Sequence, residues 1–184
     1  EPERPKLSKS KHGHTVIKVV GVGGGGGNAV TRMMEGNRIR GVEFMAVNTD
    51  AQDLNHTSAH HKIYIGKALT RGLGAGMNPD IGKQEAEENR SEIIEALEGT
   101  DIVFLTAGFG GGTGTGATPI IAEAAREKGI LTIAIVTKPF NFEGAERARI
   151  AHEGLANLKD KVDSMVVIPN DRIFDLINKD TSVA

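Results

Sequence analysis

Short β-branched apolar runs alternate with amphipathic stretches along most of the chain. The apolar runs occupy residues 15–22, 42–47, 102–107, 131–136 and 165–168, and a weaker run occupies 62–65. The amphipathic stretches, whose apolar positions follow helical spacing, occupy residues 28–35, 81–97, 119–128 and 146–159. Repeated strand–turn–helix units build parallel sheets, and strands that are apolar throughout are covered on both faces. The pattern therefore predicts an α/β fold, a Rossmann-like three-layer domain with a mostly parallel sheet flanked by helices.

The first 14 residues break this rhythm. They are rich in Pro, Lys, Ser and His, and Leu7 is their one aliphatic residue. Such a segment buries too little apolar surface to fold, so we expect a disordered tail over residues 1–14. The length of 184 residues suits one α/β domain, which we place at residues 15–184.

Composition narrows the class of protein. The chain has 22 Lys and Arg against 24 Asp and Glu, a formal charge of −2, so we expect no nucleic-acid partner. It has no Cys and no apolar stretch close to the roughly 20 residues that span a bilayer, so we expect a cytoplasmic protein without direct membrane insertion. None of the six histidines forms a spaced pair on one face, and we expect them to be surface residues rather than metal ligands.

Residues 23–28, five glycines followed by Asn28, come between the first predicted strand and the first predicted helix. Backbone N–H groups at a helix start attract anions, so this loop is a candidate phosphate site. Gly21, Gly23 and Gly26 also fit the G-x-G-x-x-G pattern of NAD-binding domains, in which Asp50 could fill the role of the ribose-binding acid. A tight turn without a ligand is the third interpretation.

The loop at residues 107–116 is the more specific signal. It again follows an apolar strand and precedes a helix, and it adds the hydroxyls of Thr113 and Thr115 to a run of glycines. Bare backbone can wrap closely around tetrahedral oxygens, and hydroxyls can donate to them. Two such loops on one sheet predict a polyphosphate held from two sides. The sequence has no Gly-x-x-x-x-Gly-Lys-Ser/Thr motif, which excludes the common P-loop.

These loops carry a family resemblance. Together with Asn48-Thr49-Asp50, residues 70–76, residues 140–144 and residues 169–172, the sequence resembles the FtsZ family of bacterial tubulin-like cell-division GTPases from about residue 16 onward. The resemblance implies GTP or GDP as ligand, Mg²⁺ with the triphosphate, self-association into filaments for septation, and other cell-division proteins as partners. A tubulin-like scaffold that holds nucleotide without hydrolysing it is an alternative.

The resemblance also implies residue roles. The phosphates would lie near Gly24, Gly25 and Asn28, with the second loop around them; Glu143 and Arg147 would contact the ribose, and Asn170 the guanine. A switch loop would bring Ala75, Gly76 and Met77 to the γ-phosphate. The full set of predicted nucleotide-binding residues is Gly24, Gly25, Asn28, Ala75, Gly76, Gly108, Gly111, Gly112, Thr113, Gly114, Glu143, Arg147 and Asn170.

Some of these positions have plainer interpretations. Asn48 and Asp50 could support the nucleotide or Mg²⁺ through water, or could simply form a turn. Glu143 could be a helix-N-terminal acid, Arg147 a solvated helix charge and Asn170 a turn residue.

The resemblance places the catalytic groups elsewhere. In the family, a central helix and an acidic loop that completes the next subunit's site follow the segment matched here, and the sequence ends at Ala184 before both. We therefore assign no catalytic residue and no resident metal ligand. We expect GTP hydrolysis to be completed in trans and this chain alone to be inactive or weakly active.

Overall fold

A computed structural model describes residues 13–36 and 39–171 of the protein. Six strands form its centre: β1 (Ile17–Val22), β2 (Val42–Asn48), β3 (His61–Tyr64), β4 (Ile102–Gly108), β5 (Leu131–Lys138) and β6 (Ser164–Pro169). They form one sheet in the order β3-β2-β1-β4-β5-β6, and every pair is parallel. The chain starts at β1, builds outward to β3, and then crosses to β4 on the other side. The carboxyl edge between β1 and β4 is thus the switch point at which open α/β sheets bind ligands.

Seven α-helices and one 3₁₀ turn connect the strands in the described residues. They are α1 (Gly23–Glu35), α2 (Ala51–His56), α3 (Lys67–Thr70), α4 (Pro79–Glu88), α5 (Arg90–Leu97), α6 (Thr113–Glu127), the 3₁₀ turn (Asn141–Glu143) and α7 (Ala145–Lys159).

Alternate residues of the strands face two separate apolar layers. Val19 of β1 packs with Val30 of α1 in one cluster. Its neighbour Val20 belongs to a larger cluster that includes Ile120 of α6 and Leu155 of α7. Because successive side chains of a strand point to opposite faces, these two clusters are the two sides of the sheet. The predicted three-layer α/β fold is confirmed, with a sheet that is parallel throughout.

Two helices begin earlier than the sequence pattern predicts. α1 starts at Gly23 rather than at residue 28, and α6 starts at Thr113 rather than at 119, so both glycine loops pass into helix. For α6, close packing explains the difference, because a Cβ on Gly116 would overlap the Pro79 carbonyl oxygen of α4. Tertiary contact between two backbones outweighs the low helix propensity of glycine here.

The prediction of one helix over residues 81–97 is wrong. The segment forms α4 and α5, joined at Asn89, whose backbone is not helical (φ −106°, ψ 16°). The Asn89 side-chain amide donates to the Glu85 carbonyl oxygen at 2.8 Å, which ends α4. Apolar periodicity continues through such a break and does not reveal it.

Other expectations concern the ends, the histidines and membranes. Residues 1–12 of the expected tail, and residues 172–184 of the expected domain, lie outside the described residues, while Gly13 and His14 are exposed. His60 and His61 are also exposed, and the Phe44 backbone N–H donates to His60 Nδ1 at 2.9 Å. The longest helices in residues 13–36 and 39–171 are α6 and α7 with 15 residues each, which is too short for a membrane span.

Candidate functional site

A cleft of about 480 Å³ opens at the carboxyl edge of the sheet, where the switch point lies. The loops after β1, β2 and β4 form one end of it, and the segments after β5 and β6 form the other. Twelve of the thirteen predicted nucleotide-binding residues line this cleft: Gly24, Gly25, Ala75, Gly76, Gly108, Gly111, Gly112, Thr113, Gly114, Glu143, Arg147 and Asn170. Asn28 is not among the lining residues; it lies exposed on α1. Their contacts with a ligand remain a prediction.

The two glycine loops touch each other at the floor of the cleft. A Cβ on Gly23 (φ +73°) would lie 3.0 Å from the Gly114 nitrogen, and one on Gly25 would lie 3.3 Å from the Gly108 nitrogen. Side chains at these positions would push the loops apart. The starts of α1 and α6 consequently open side by side into one space, where the first amides of each helix have no partner within the helix. This is a surface suited to a chain of phosphates.

A pair of hydroxyls joins the loops after β2 and β4. The Thr49 Oγ1 and Thr113 Oγ1 atoms are 2.7 Å apart, and Thr49 is fully buried. When Thr49 donates, the Thr113 proton is free to point at a ligand oxygen. The sequence predicts roles for the outer residues of the motif Asn48-Thr49-Asp50, whereas the structure places its middle residue in contact with the second glycine loop. Sequence signals do not distinguish a buried threonine of this kind from an ordinary turn threonine.

Asn48 and Asp50 serve the turn between β2 and α2. The Asn48 Oδ1 accepts from the Thr49 and Asp50 backbone N–H groups at 2.8 and 3.2 Å. Asp50 caps α2, because its Oδ1 accepts from the Gln52 and Asp53 N–H groups at 2.9 and 3.0 Å. Both residues also line the cleft. The turn interpretation of this motif thus describes what these side chains do in the structure.

Asp53 is a lining residue that the sequence interpretation missed. Its Oδ2 atom would lie 3.1 Å from a Cβ on Gly24, so its carboxylate stands beside the first glycine loop. With Asp50 it places two acids at the end of the cleft formed by the glycine loops. Such a pair suits Mg²⁺, which binds one or two carboxylates together with phosphate oxygens and waters. The described residues contain no group of three or more His, Cys, Asp or Glu that could hold a metal without a ligand's help.

The predicted switch loop forms the side wall. Ala75 is buried, Gly76 is exposed, and the Gly112 N–H donates to the Gly76 carbonyl oxygen at 2.7 Å. Met77 does not line this cleft but borders a neighbouring groove between α4 and α7. Loop residues 71, 72, 74 and 76 all have positive φ. The wall therefore touches the second glycine loop through backbone and carries little side-chain packing of its own.

Glu143, Arg147 and Asn170 lie at the far end of the cleft, after β5 and β6. The Glu143 Oε2 accepts from the Phe140 N–H at 2.6 Å, which is the role of a helix-N-terminal acid. Arg147 is half-buried on α7, and Asn170 follows β6 directly. The Asn141 N–H donates to the Asp171 Oδ1 at 3.3 Å and ties the two segments together. An acid, a guanidinium and an amide thus converge on one space, a set that can pair with hydroxyls and a base edge.

The chain matches known proteins over most of its length. Residues 16–178 match the model of the Tubulin/FtsZ family, GTPase domain. The chain is 55% identical over 168 residues to "Cell division protein FtsZ" of Pseudomonas aeruginosa, which covers 91% of this chain and 42% of that protein. The chain thus spans less than half the length of this relative.

Solved structures agree with this match. The structure "FtsZ dimer, empty" from M. jannaschii has a TM-score of 0.86 and 49% identity, over 91% of this chain and 48% of that one. A GTPγS-bound protofilament of CetZ2 from Haloferax volcanii has a TM-score of 0.78 and 28% identity, over 85% of this chain and 50% of that one.

Proposed function

Because the chain belongs to the Tubulin/FtsZ family, we propose that its cleft binds a guanine nucleotide, GTP or GDP. The observation that carries the proposal is the meeting of the two glycine loops at one end of a cleft whose other end holds Glu143, Arg147 and Asn170. The first end offers helix-start amides to phosphates. The second offers a carboxylate to the ribose hydroxyls and an amide to the base edge.

The charges of the cleft support a metal-bound triphosphate. Asp50, Asp53 and Glu143 line it together with one cation, Arg147. Three acids would repel a bare polyphosphate, so part of the charge compensation must come from a cation that arrives with it. We propose that Mg²⁺ binds with GTP, supported by Asp50 and Asp53 directly or through water.

We propose that the whole protein hydrolyses GTP and that a neighbouring subunit supplies catalytic groups to the cleft. Positioning and charge stabilisation dominate phosphoryl transfer, and the cleft provides both for the phosphates. The expected result is little phosphate release by this chain alone in GTP and Mg²⁺. Added to a full-length family member, the chain should dock on the exposed end of a filament and lower its GTP turnover. Unchanged turnover at large molar excess of the chain would count against docking.

Self-association forms the second part of the proposal. Leu73, which lines the cleft, and Phe142, next to the lining residue Glu143 at the other end, are 86% and 80% exposed. Large apolar side chains at the rim of a polar cleft favour burial by another protein surface. We propose that a neighbouring copy covers this rim in filaments, and that the filaments serve cell division, the role named for the Pseudomonas aeruginosa relative.

The test of nucleotide class is competition for bound fluorescent GDP in Mg²⁺ by GTP, ATP and NAD⁺. NAD⁺ belongs in the set because the sheet order is also that of dinucleotide-binding folds, although the family match does not favour that alternative. GTP and GDP should compete at least roughly tenfold better than ATP, a difference of about 1.4 kcal/mol. Stronger competition by NAD⁺ than by GTP would reject the proposal.

Arg147→Ala tests whether the cleft is the binding site. Arg147 lines the cleft, whereas Arg149, two residues along α7, is exposed and paired with Glu146 and Glu153 at 2.6 and 2.9 Å. We expect Arg147→Ala to weaken GTP binding roughly tenfold, the range of one charge-assisted contact. The matched variant Arg149→Ala should bind as the wild type does. Equal effects of the two variants would place the nucleotide elsewhere.

A further inference from the structure

A buried acid lies in α4, outside the cleft. Glu85 is 0% exposed; the Thr70 hydroxyl is the one hydrogen-bonding group in the described residues that acts on its carboxyl, and this hydroxyl donates to the Gly66 carbonyl oxygen at 3.3 Å instead. Burial raises the pKa of this carboxyl above its ordinary value of 4.5; the Thr70 hydroxyl lowers the pKa and the neighbouring Glu88 carboxylate raises it. An unpaired charge in such surroundings is unfavourable, so this environment favours the protonated acid.

The Glu85 carboxyl sits directly over the backbone of Gly66. A Cβ on Gly66 would overlap the carboxyl carbon and Oε1 of Glu85. Gly66 is the residue before α3, and its backbone is left-handed (φ +75°, ψ 24°). The contact therefore falls on the turn that starts α3.

Little else fixes α3 in place. None of its four residues is buried, and Leu69 is 43% exposed. The Thr70 hydroxyl donates to the Gly66 carbonyl oxygen at 3.3 Å, a bond within the turn itself. Apart from the bond that the Ala51 N–H donates to the Gly72 carbonyl oxygen at 3.3 Å in the following loop, the Glu85 carboxyl is the group packed against the start of α3.

α3 leads straight into the wall of the cleft. The Leu73 N–H donates to the Thr70 carbonyl oxygen at 3.1 Å, and Gly76 accepts from Gly112 at 2.7 Å. α4, which carries Glu85, packs tightly against the start of α6, since a Cβ on Gly82 would overlap the carbonyl oxygen of Gly112, the residue before α6. Glu85 thus connects the tightly packed helix pair with the loosely held wall.

Few charges act on this carboxyl. Glu88, on the same helix, is the one charged side chain in the described residues that shifts its pKa. Lys67, the cation of α3, has its Nζ over the Tyr64 ring at 5.2 Å from the centroid. The ionisation of Glu85 would therefore meet no opposing charge that stabilises it in place.

We propose that Glu85 is a positioning residue for the cleft wall: its protonated carboxyl holds Gly66 and α3 in place, and its ionisation releases them. The ionised group turns toward water, α3 shifts with it, and loop residues 71–76 lose their fixed position beside the phosphate loop. The part that concerns nucleotide rests on the proposed function; the movement of the wall does not.

Amide hydrogen exchange of the nucleotide-free protein tests the movement. Exchange in residues 66–76, corrected for the intrinsic effect of pH, should rise roughly threefold or more in the wild type between pH 5.5 and 8.5. In Glu85→Gln, which cannot ionise, it should stay flat over that range. Glu87→Gln, the same change at an exposed position of the same helix that does not act on the Glu85 pKa, should follow the wild type. The proposal would be overturned if wild type and Glu85→Gln showed the same pH dependence of exchange. It would also be overturned if exchange in Glu85→Gln exceeded that of the wild type by the same factor at every pH.

The pH dependence of stability gives a second readout, which stays informative even if a variant is less stable than the wild type. A group whose folded pKa is raised favours the folded state below its unfolded pKa, and that advantage is lost as pH rises through the folded pKa. The urea midpoint of Glu85→Gln relative to wild type should therefore rise from pH 4.5 upward and level off. Glu85→Ala should show the same trend in pH, even if its midpoint is lower throughout. A flat difference for both variants would overturn the proposal.

Nucleotide binding extends the test to the cleft. The ratio of wild-type to Glu85→Gln dissociation constants for GTP, whose γ-phosphate the wall would face, should grow roughly threefold from pH 5.5 to 8.5. A constant ratio combined with the expected exchange would mean that the wall moves without affecting the ligand, which overturns the role of Glu85 in positioning for binding. Failure of GTP to bind at all would reject the proposed function and leave the exchange result to stand by itself.

Discussion

Two walls of the cleft are built in different ways. The wall formed by the glycine loops and the start of α6 is held by backbone packing, since α6 lies so close to α4 that a Cβ on Gly116 would overlap Pro79. The wall formed by residues 73–76 follows α3, a helix without a buried side chain, and Leu73 on this wall is 86% exposed. Rigid packing suits a surface that must keep amides aimed at phosphates, whereas loose packing suits a surface that changes with the ligand.

The difference also shows in how each wall uses glycine. In the packed wall, glycines remove side chains so that two backbones can touch, as Gly23 and Gly25 do against the second loop. In the loose wall, glycines supply left-handed backbone, as at Gly74 (φ +80°). A Cβ on Gly74 would meet its nearest neighbour at 3.7 Å, which is ordinary contact. A substitution at Gly74 should consequently act through backbone strain rather than overlap, whereas at Gly72 a Cβ would also lie 2.7 Å from the Tyr64 hydroxyl oxygen.

The largest expected effect comes from Gly116→Ala in the packed wall. The added Cβ would overlap the Pro79 carbonyl oxygen and lie 2.7 Å from the Lys83 nitrogen, so α4 and α6 must separate. We expect a loss of about 3 kcal/mol in the free energy of unfolding, the upper range for overpacking. Urea denaturation measures it.

Gly36→Ala is the matched control. Its backbone is right-handed (φ −66°), and its Cβ would meet the Arg32 carbonyl oxygen at 3.4 Å. The free energy of unfolding should change by less than about 0.5 kcal/mol. A small effect at both positions would remove the contrast between packed and loose walls.

A smaller effect is expected from Thr49→Val, which keeps the shape of the side chain and deletes its hydroxyl. The Thr113 hydroxyl, 2.7 Å away, loses its partner, so the free energy of unfolding should fall by about 1 kcal/mol. GDP affinity should fall by roughly fivefold for the same reason. Thr49→Ser retains the hydroxyl and should recover most of the affinity. If Ser and Val behave alike, the hydroxyl pair does not organise the phosphate loop.

The packed wall also contains the features of the fold that could not be predicted from the sequence. Apolar runs and glycine-rich turns predicted the parallel sheet, both layers of helices and the edge that holds the cleft, because these follow from local periodicity. The true starts of α1 and α6 inside their glycines did not follow, because contact between distant backbones, such as Gly116 with Pro79, decides them. Propensity alone favours a loop there.

The positions of individual side chains were also predictable where they follow from local pattern and unpredictable where they depend on tertiary structure. The predicted residues that carry backbone amides or lie directly after strands, such as Gly108 and Asn170, gather in one cleft, since strand ends of a parallel sheet share an edge. Asn28 does not line the cleft, because α1 begins five residues earlier and carries it past the opening. Thr49 and Asp53 were missed, because their places depend on the turn into α2, a helix that the hydrophobic pattern did not predict.

The smallest expected effect on stability comes from Leu73→Ser in the loose wall. At 86% exposure the side chain contributes little to the fold, so the free energy of unfolding should change by less than about 0.5 kcal/mol. Binding is a different matter, because burying a leucine at an interface contributes about 1.5–3 kcal/mol. The variant should therefore lower the turnover of a full-length family member less than the unchanged chain does, as measured by phosphate release. Leu69→Ser, at 43% exposure on neighbouring α3, is the control that should still inhibit. If both variants inhibit like the wild type, the exposed rim of the loose wall is not an association surface, and its looseness serves the ligand alone.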